Sequence, residues 1–273
     1  MKRKDFLQSV LGASAFLGFP FNSLANVNSS IIEELINNTK KNINGSMLSF
    51  SANPIKKVKV GIIGLGNRGN TLLEMFEYLI KNKYAEIIAL SDISEKKVKK
   101  AEEKLAVWQN KKVNIYHKLK DEWKKLAKQD NIDLVIIATP WNLHTPMALY
   151  CMEHEKHVAS EVPISSSIED CWKIIETAER TRKHCIMMEN CNYNEEELWI
   201  LNMIQEGVFG NITHTEGAYL HDLRALLLHE TYYEGQWRLH EHVHRNGNFY
   251  TTHGLGPIAF YLNIGRGDTF THL

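Results

Sequence analysis

The apolar run Val58-Lys59-Val60-Gly61-Ile62-Ile63 passes directly into Gly64-Leu65-Gly66-Asn67-Arg68-Gly69, and the helical pattern TLLEMFEYLI follows. A buried strand that ends on glycines spaced G-x-G-x-x-G before a helix leaves few folds open. Gly64 permits the tight turn, Gly66 lets backbone approach a pyrophosphate, and Gly69 lets the helix pack on the strand. A second apolar strand, EIIALSD, ends in Asp92 at about the 20-residue spacing where a carboxylate accepts hydrogen bonds from an adenosine ribose. Ile93 and Ser94 come next, with no arginine to receive a 2′-phosphate, so NAD is favoured over NADP.

The same alternation continues through residues 55–190. NIY at 114–116, DLVIIAT at 133–139, HVAS at 157–160 and CIMME at 185–189 read as strands, and DEWKKLAKQ, HTPMALYCMEH and SIEDCWKIIETAERTRK read as helices. Strands alternating with helices predict an α/β Rossmann domain, a doubly wound parallel sheet. Thr139 to His144 is expected as a loop at the carboxyl edge of that sheet, where ligands bind. Trp141 there is placed to stack on the cofactor, and His144 to cap the helix that follows.

Composition narrows the partners. Lys and Arg total 32 against 32 Asp and Glu, so no overall field draws the chain to nucleic acid or an anionic membrane. A small, weakly charged molecule is the expected substrate. The four cysteines form no C-x-x-C pair and read as buried free thiols. The basic start KRKDFLQ, the short apolar run SVLGASAFLGFPF and the small residues Ser23 and Ala25 read as a signal peptide over residues 1–25. Its Arg3-Lys4-Asp5-Phe6-Leu7 order is similar to a twin-arginine signal, which exports folded proteins and predicts a periplasmic location without a stable membrane anchor. Residues 26–54 read as a linker with one short helix at IIEELI.

ATPWNLHTPMA together with HVASEVPISSS resembles the glucose-fructose oxidoreductase, inositol dehydrogenase and MocA superfamily, in which a Rossmann domain precedes an α+β open-sheet domain. Most members carry Glu-Lys-Pro where this chain has Glu161-Val162-Pro163, which argues against a conventional NAD-dependent sugar oxidoreductase. RTRKHCIMMENCNYNEEELWILNMIQEGVFGNITHTEGAYLHDLR and WRLHEHVHRNGNFYTTHGLGPIA are similar to glycoside hydrolase family 109, the NAD-dependent α-N-acetylgalactosaminidases. That resemblance implies NAD contacts from Asn67, Arg68, Asp92, Trp141, Asn142, Leu143, His144, Glu161, Val162 and Asn190, beside Gly64, Gly66 and Gly69. It places Tyr219, Arg238, Tyr250, Thr251, Thr252 and His253 at the sugar, with His253 or Tyr219 moving the proton. Family members are thought to oxidise the sugar C3 hydroxyl, eliminate the glycosidic oxygen, add water and return the hydride, so that NAD is regenerated in each turnover.

Two features stand beside this. His240, His242 and His244 alternate, which on a strand would put all three on one face; no metal is nevertheless expected, because the resemblance already accounts for the segment. Residues 191–273 are short for a complete open-sheet domain, so a partial domain with exposed edge strands is expected, with a homo-oligomer as one way to cover them. An inactive NAD-binding fragment is therefore the further alternative to the glycosidase.

Overall fold

The computed structural model describes residues 46, 47 and 50–271; the expected signal segment and most of the linker lie outside them. Six strands form one sheet: β1 (Val58–Ile63), β2 (Ala85–Ser91), β3 (Asn114–Tyr116), β4 (Leu134–Ile137), β5 (His157–Ser160) and β6 (Cys185–Met187). Every pairing is parallel and the order is β3-β2-β1-β4-β5-β6. The chain thus winds outward in both directions from β1, and a crevice opens at the carboxyl ends of β1 and β4, where the winding reverses.

Five helices cover the two faces: α1 (Asn67–Lys81), α2 (Glu95–Trp108), α3 (Trp123–Ala127), α4 (Trp141–Glu153) and α5 (Ile168–Thr181). Leu72, Leu73 and Ile80 of α1 and Val98, Ala101 and Leu105 of α2 pack with Val60, Ile62 and Ile87 on one face. Trp123 and Leu126 of α3, Met147, Cys151 and Met152 of α4 and Ile174 and Ala178 of α5 close on Val135, Ile137 and Val158 from the other. Burial on both faces is why these strands read as continuous apolar runs rather than as alternating ones.

Several expectations are corrected. Trp141 to His144 is not a loop: α4 begins at Trp141, straight after Pro140, which ends the preceding extended segment. Of the cysteines, Cys151 is buried but Cys171 is exposed. Beyond β6 come a 3-10 turn (Asn190–Tyr193), α6 (Glu195–Gln205), α7 (Arg224–Leu227), a second 3-10 turn (Glu234–Gln236), α8 (Trp237–His244) and α9 (Thr251–Tyr261). Among the described residues no strand follows β6; residues 212–223 run without a ladder partner, so the expected open sheet is not assembled here. His240, His242 and His244 lie on α8, not on a strand, so His240 and His244 share one face of the helix and His242 lies on another. His240 stacks on His244, while His242 packs on Phe249.

Candidate functional site

The glycine loop has the shape a pyrophosphate requires. Gly64 has φ +90°, and a Cβ there would lie 2.5 Å from the Ala138 carbonyl oxygen. A Cβ on Gly69 would meet the Gly64 oxygen at 2.0 Å, so α1 can start only this close to β1 without one. A Cβ on Gly66 would meet nothing within 4 Å. The open space therefore lies over the middle of the loop, at the start of a 15-residue helix whose N-cap supplies no side-chain acceptor. Backbone N–H groups left free at a helix start, with the positive end of the helix behind them, suit a phosphate anion. These residues fit a dinucleotide.

The side chains around the loop are already organised. Asp92 accepts the Leu65 amide on Oδ2 at 2.7 Å and the Ser94 amide on Oδ1 at 2.8 Å, so it braces the loop from the end of β2. Arg68 Nε donates to Glu161 Oε1 at 2.7 Å, joining the loop to the segment after β5. Asn67 Nδ2 donates to the Tyr232 carbonyl at 3.1 Å, bringing the C-terminal region over the start of α1.

Trp141 and His144 serve differently from their expected parts. Trp141 is 4% exposed, with Phe249 stacked on it at 5.6 Å and the rings of Trp237 and Tyr250 meeting it edge-on. It seats the C-terminal region on the Rossmann domain rather than offering a free face to a cofactor. His144 is 1% exposed, and its ring bridges the Thr139 carbonyl (Nε2, 2.7 Å) and the Pro163 carbonyl (Nδ1, 2.7 Å). Burial holds its pKa below the usual histidine value, outweighing both carbonyls. It clasps the loops after β4 and β5 together instead of capping α4. Asn142 and Asn190 are exposed, Leu143 is half-buried, and Val162 is buried before a cis bond to Pro163.

The expected sugar-contacting residues converge. Arg238 is buried on α8, its guanidinium 4.7 Å from the Tyr250 ring centre, 5.0 Å from Tyr233 and 5.3 Å from Trp141. Its Nη1 donates to the Tyr233 hydroxyl at 2.5 Å, whereas its buried Nε has no protein acceptor. The His253 ring lies 4.6 Å from Tyr219 and stacks on Tyr250 at 5.0 Å, with the planes 6° apart. Burial pushes the Tyr250 hydroxyl pKa up, against the pull of Arg238. Thr252 turns its hydroxyl toward Glu189, while Thr251 is exposed and bonds back to the Asn248 carbonyl.

Sequence reasoning missed Glu189. It is 3% exposed, and its Oε1 lies 2.5 Å from His253 Nδ1. Burial alone would raise its pKa, but the hydrogen bonds from His253 and the Cys191 amide, with the Thr252 hydroxyl close by, outweigh this and hold the carboxyl below its usual range. The available signal was its place at the end of CIMME, at the carboxyl edge of the sheet. Glu189, Cys191 and His253 present ligand atoms within 4.8 Å of one another. The 2.5 Å contact is shorter than the roughly 3.3 Å between two ligands of one tetrahedral zinc ion, and it describes a hydrogen-bonded pair. A cavity of about 440 Å³ lined by Lys128, Asp133, Lys156 and His157 opens at the opposite, amino edge of the sheet and shares none of these residues.

Residues 58–189 match the oxidoreductase family with an NAD-binding Rossmann fold, and residues 193–273 match the glycosyl hydrolase 109 C-terminal domain. The class is therefore a Rossmann protein whose cofactor is NAD. The WlbA dehydrogenase of Chromobacterium violaceum, solved with NADH and UDP-GlcNAcA, superposes with a TM-score of 0.50 at 26% identity, over 59% of this chain and 44% of that one. Within that class, the match over residues 193–273 makes the chain similar to glycoside hydrolase family 109. It is 40% identical over 271 residues to a glycosyl hydrolase family 109 protein of Shewanella sp. strain ANA-3 and to the alpha-N-acetylgalactosaminidase of Shewanella oneidensis. Each alignment takes in 99% of this chain and 57% of the relative, so the chain spans little more than half the length of these curated relatives.

Proposed function

We propose that this site hydrolyses terminal α-linked N-acetylgalactosamine with no net oxidation or reduction. The observation that carries the reading is the convergence of His253, Tyr219, Tyr250 and the unpartnered Nε of Arg238 into one aromatic-walled cluster on the carboxyl-edge side of the sheet. Bound NAD supplies a reversible hydride acceptor for the sugar C3. The residues that would hold it are Gly64 to Gly69, Asp92 and Glu161.

With C3 at the ketone level the C2 proton becomes acidic, and His253 is the base that takes it. The C2–H and C1–O bonds break, C1=C2 forms, and the glycosidic oxygen leaves with a proton from Tyr219. Water then adds across the double bond with the proton returned to C2, and the hydride held by bound NAD would go back to C3 with a proton on its oxygen, completing a hydrolysis without two carboxylates flanking the bond. Arg238 holds a sugar oxygen by a charge-assisted hydrogen bond. A cofactor restored in every turnover also suits the exported, periplasmic location read from residues 1–25, because no pool of free NAD is drawn upon.

Turnover in D2O tests the reading. N-Acetylgalactosamine released with deuterium at C2 is the expected product. Release with hydrogen retained at C2 would point to direct displacement and overturn the elimination route.

A further inference from the structure

Glu189 closes β6 and caps the 3-10 turn behind it by accepting the Cys191 amide at 3.1 Å. The same oxygen, Oε1, meets His253 Nδ1. Gly256 lets α9 come this close: a Cβ there would stand 2.9 Å from Glu189 Cγ and 2.5 Å from Asn192 Oδ1. Tyr250 and Tyr219 then pack against the imidazole from other sides, so its orientation is fixed as well as its partner.

A carboxylate can only accept, so a neutral His253 must place its proton on Nδ1 to satisfy this contact. Nε2 is then a bare lone pair, and no protein hydrogen bond involves it among the described residues. We infer that Glu189 is a positioning residue for His253: it fixes the Nδ1–H tautomer and aims an unprotonated Nε2 into the sugar site as the base. The inference rests on the glycosidase reading for the purpose of that base, but the tautomer itself is independent of any turnover.

A free histidine favours the other tautomer, so the preference is measurable. Long-range ¹⁵N–¹H correlation spectra of the ¹⁵N-histidine-labelled full chain, with His253 assigned by the loss of its signals in His253→Gln, should show Nδ1–H and a bare Nε2. Glu189→Gln keeps an acceptor at the same place and should retain this pattern. Glu189→Met removes the acceptor at similar volume and should shift His253 toward Nε2–H, while the other histidine signals, unchanged, report an intact fold. An Nε2–H tautomer in the unaltered chain, no change in Glu189→Met, or loss of the Nδ1–H signal on adding zinc would each overturn the inference. Where turnover is measured, Glu189→Met should lower kcat by roughly 100-fold with KM within about threefold, and Glu189→Gln should recover much of it. A chain with the Nδ1–H tautomer and no turnover would support the dyad while removing the glycosidase reading.

Discussion

Arg68 Nε donates to Glu161 Oε1 at 2.7 Å, so the glycine loop after β1 and the segment after β5 are tied together across the crevice between β1 and β4. Glu161 is buried and Arg68 is partly exposed, which limits the pair's worth to about 1 kcal/mol after solvent screening. Its importance is geometric: it holds two sides of the dinucleotide site in register. Glu161→Gln should weaken NADH binding about fivefold, read by fluorescence titration of cofactor-stripped protein. Unchanged affinity would show that the pair plays no part in shaping the site.

The two glycines at the head of α1 make opposite predictions. Gly66 has an ordinary φ of −67° and open space where a Cβ would go. Gly66→Ala should leave the melting temperature intact and reduce NAD binding at least tenfold by filling the pyrophosphate space. Gly69→Ala forces a methyl group into backbone and should cost about 1–3 kcal/mol of stability as well as cofactor binding. Thermal melts of both variants without cofactor separate the two effects.

Glu86 sits buried on β2 with Lys57 and Lys111 each 2.6 Å away. Burial pushes its pKa up, but hydrogen bonds from Lys111 and Lys57 win and hold it below the usual value of 4.5. A depressed carboxylate contributes stability that is fully present above the unfolded value and lost as pH falls through the folded one. Glu86→Gln should therefore lose about 1 kcal/mol in urea unfolding at pH 7, with the gap to the unaltered chain narrowing as pH drops below 4.5.

Thiol labelling reads out the cysteine environments. Cys171 is exposed on α5, Cys151 is buried in the core, and burial pushes the Cys185 thiol up to about 12 and Cys151 higher still. A disulfide reagent at pH 8 should label Cys171 within minutes, leaving Cys151 and Cys185 protected until the chain unfolds. Rapid labelling of Cys151 in the folded protein would contradict the packing of α4 on the sheet.

The Rossmann half was legible because its signals are local: β-branched runs, glycines at fixed offsets and amphipathic helices each follow from a few neighbouring residues. HVAS at 157–160 coincides with β5, and the strand-turn-helix at Val58 to Lys81 forms where the pattern put it. Roles that depend on distant packing were not legible. Trp141 became a seat for Phe249 and Trp237, and His144 a clasp between two carbonyls, because residues a hundred positions apart or on neighbouring loops meet there. RLHEHVH alternates like a strand, but Leu239 and Val243 also fall at helical spacing, and among the described residues no neighbouring strand offers a ladder. Glu189 carried only the ordinary look of a strand-end carboxylate until α9 placed His253 against it.

The proposed reaction is a glycoside hydrolysis in which a hydride is borrowed and returned. The most direct measurement mixes the chain, purified without added cofactor, with p-nitrophenyl α-N-acetylgalactosaminide and follows nitrophenol and NADH absorbance together. Many equivalents of nitrophenol per chain are expected while NADH never exceeds the enzyme concentration. NADH accumulating in step with product when NAD is supplied would make the protein a sugar dehydrogenase, and bound NAD with no nitrophenol would contradict the account for this chain.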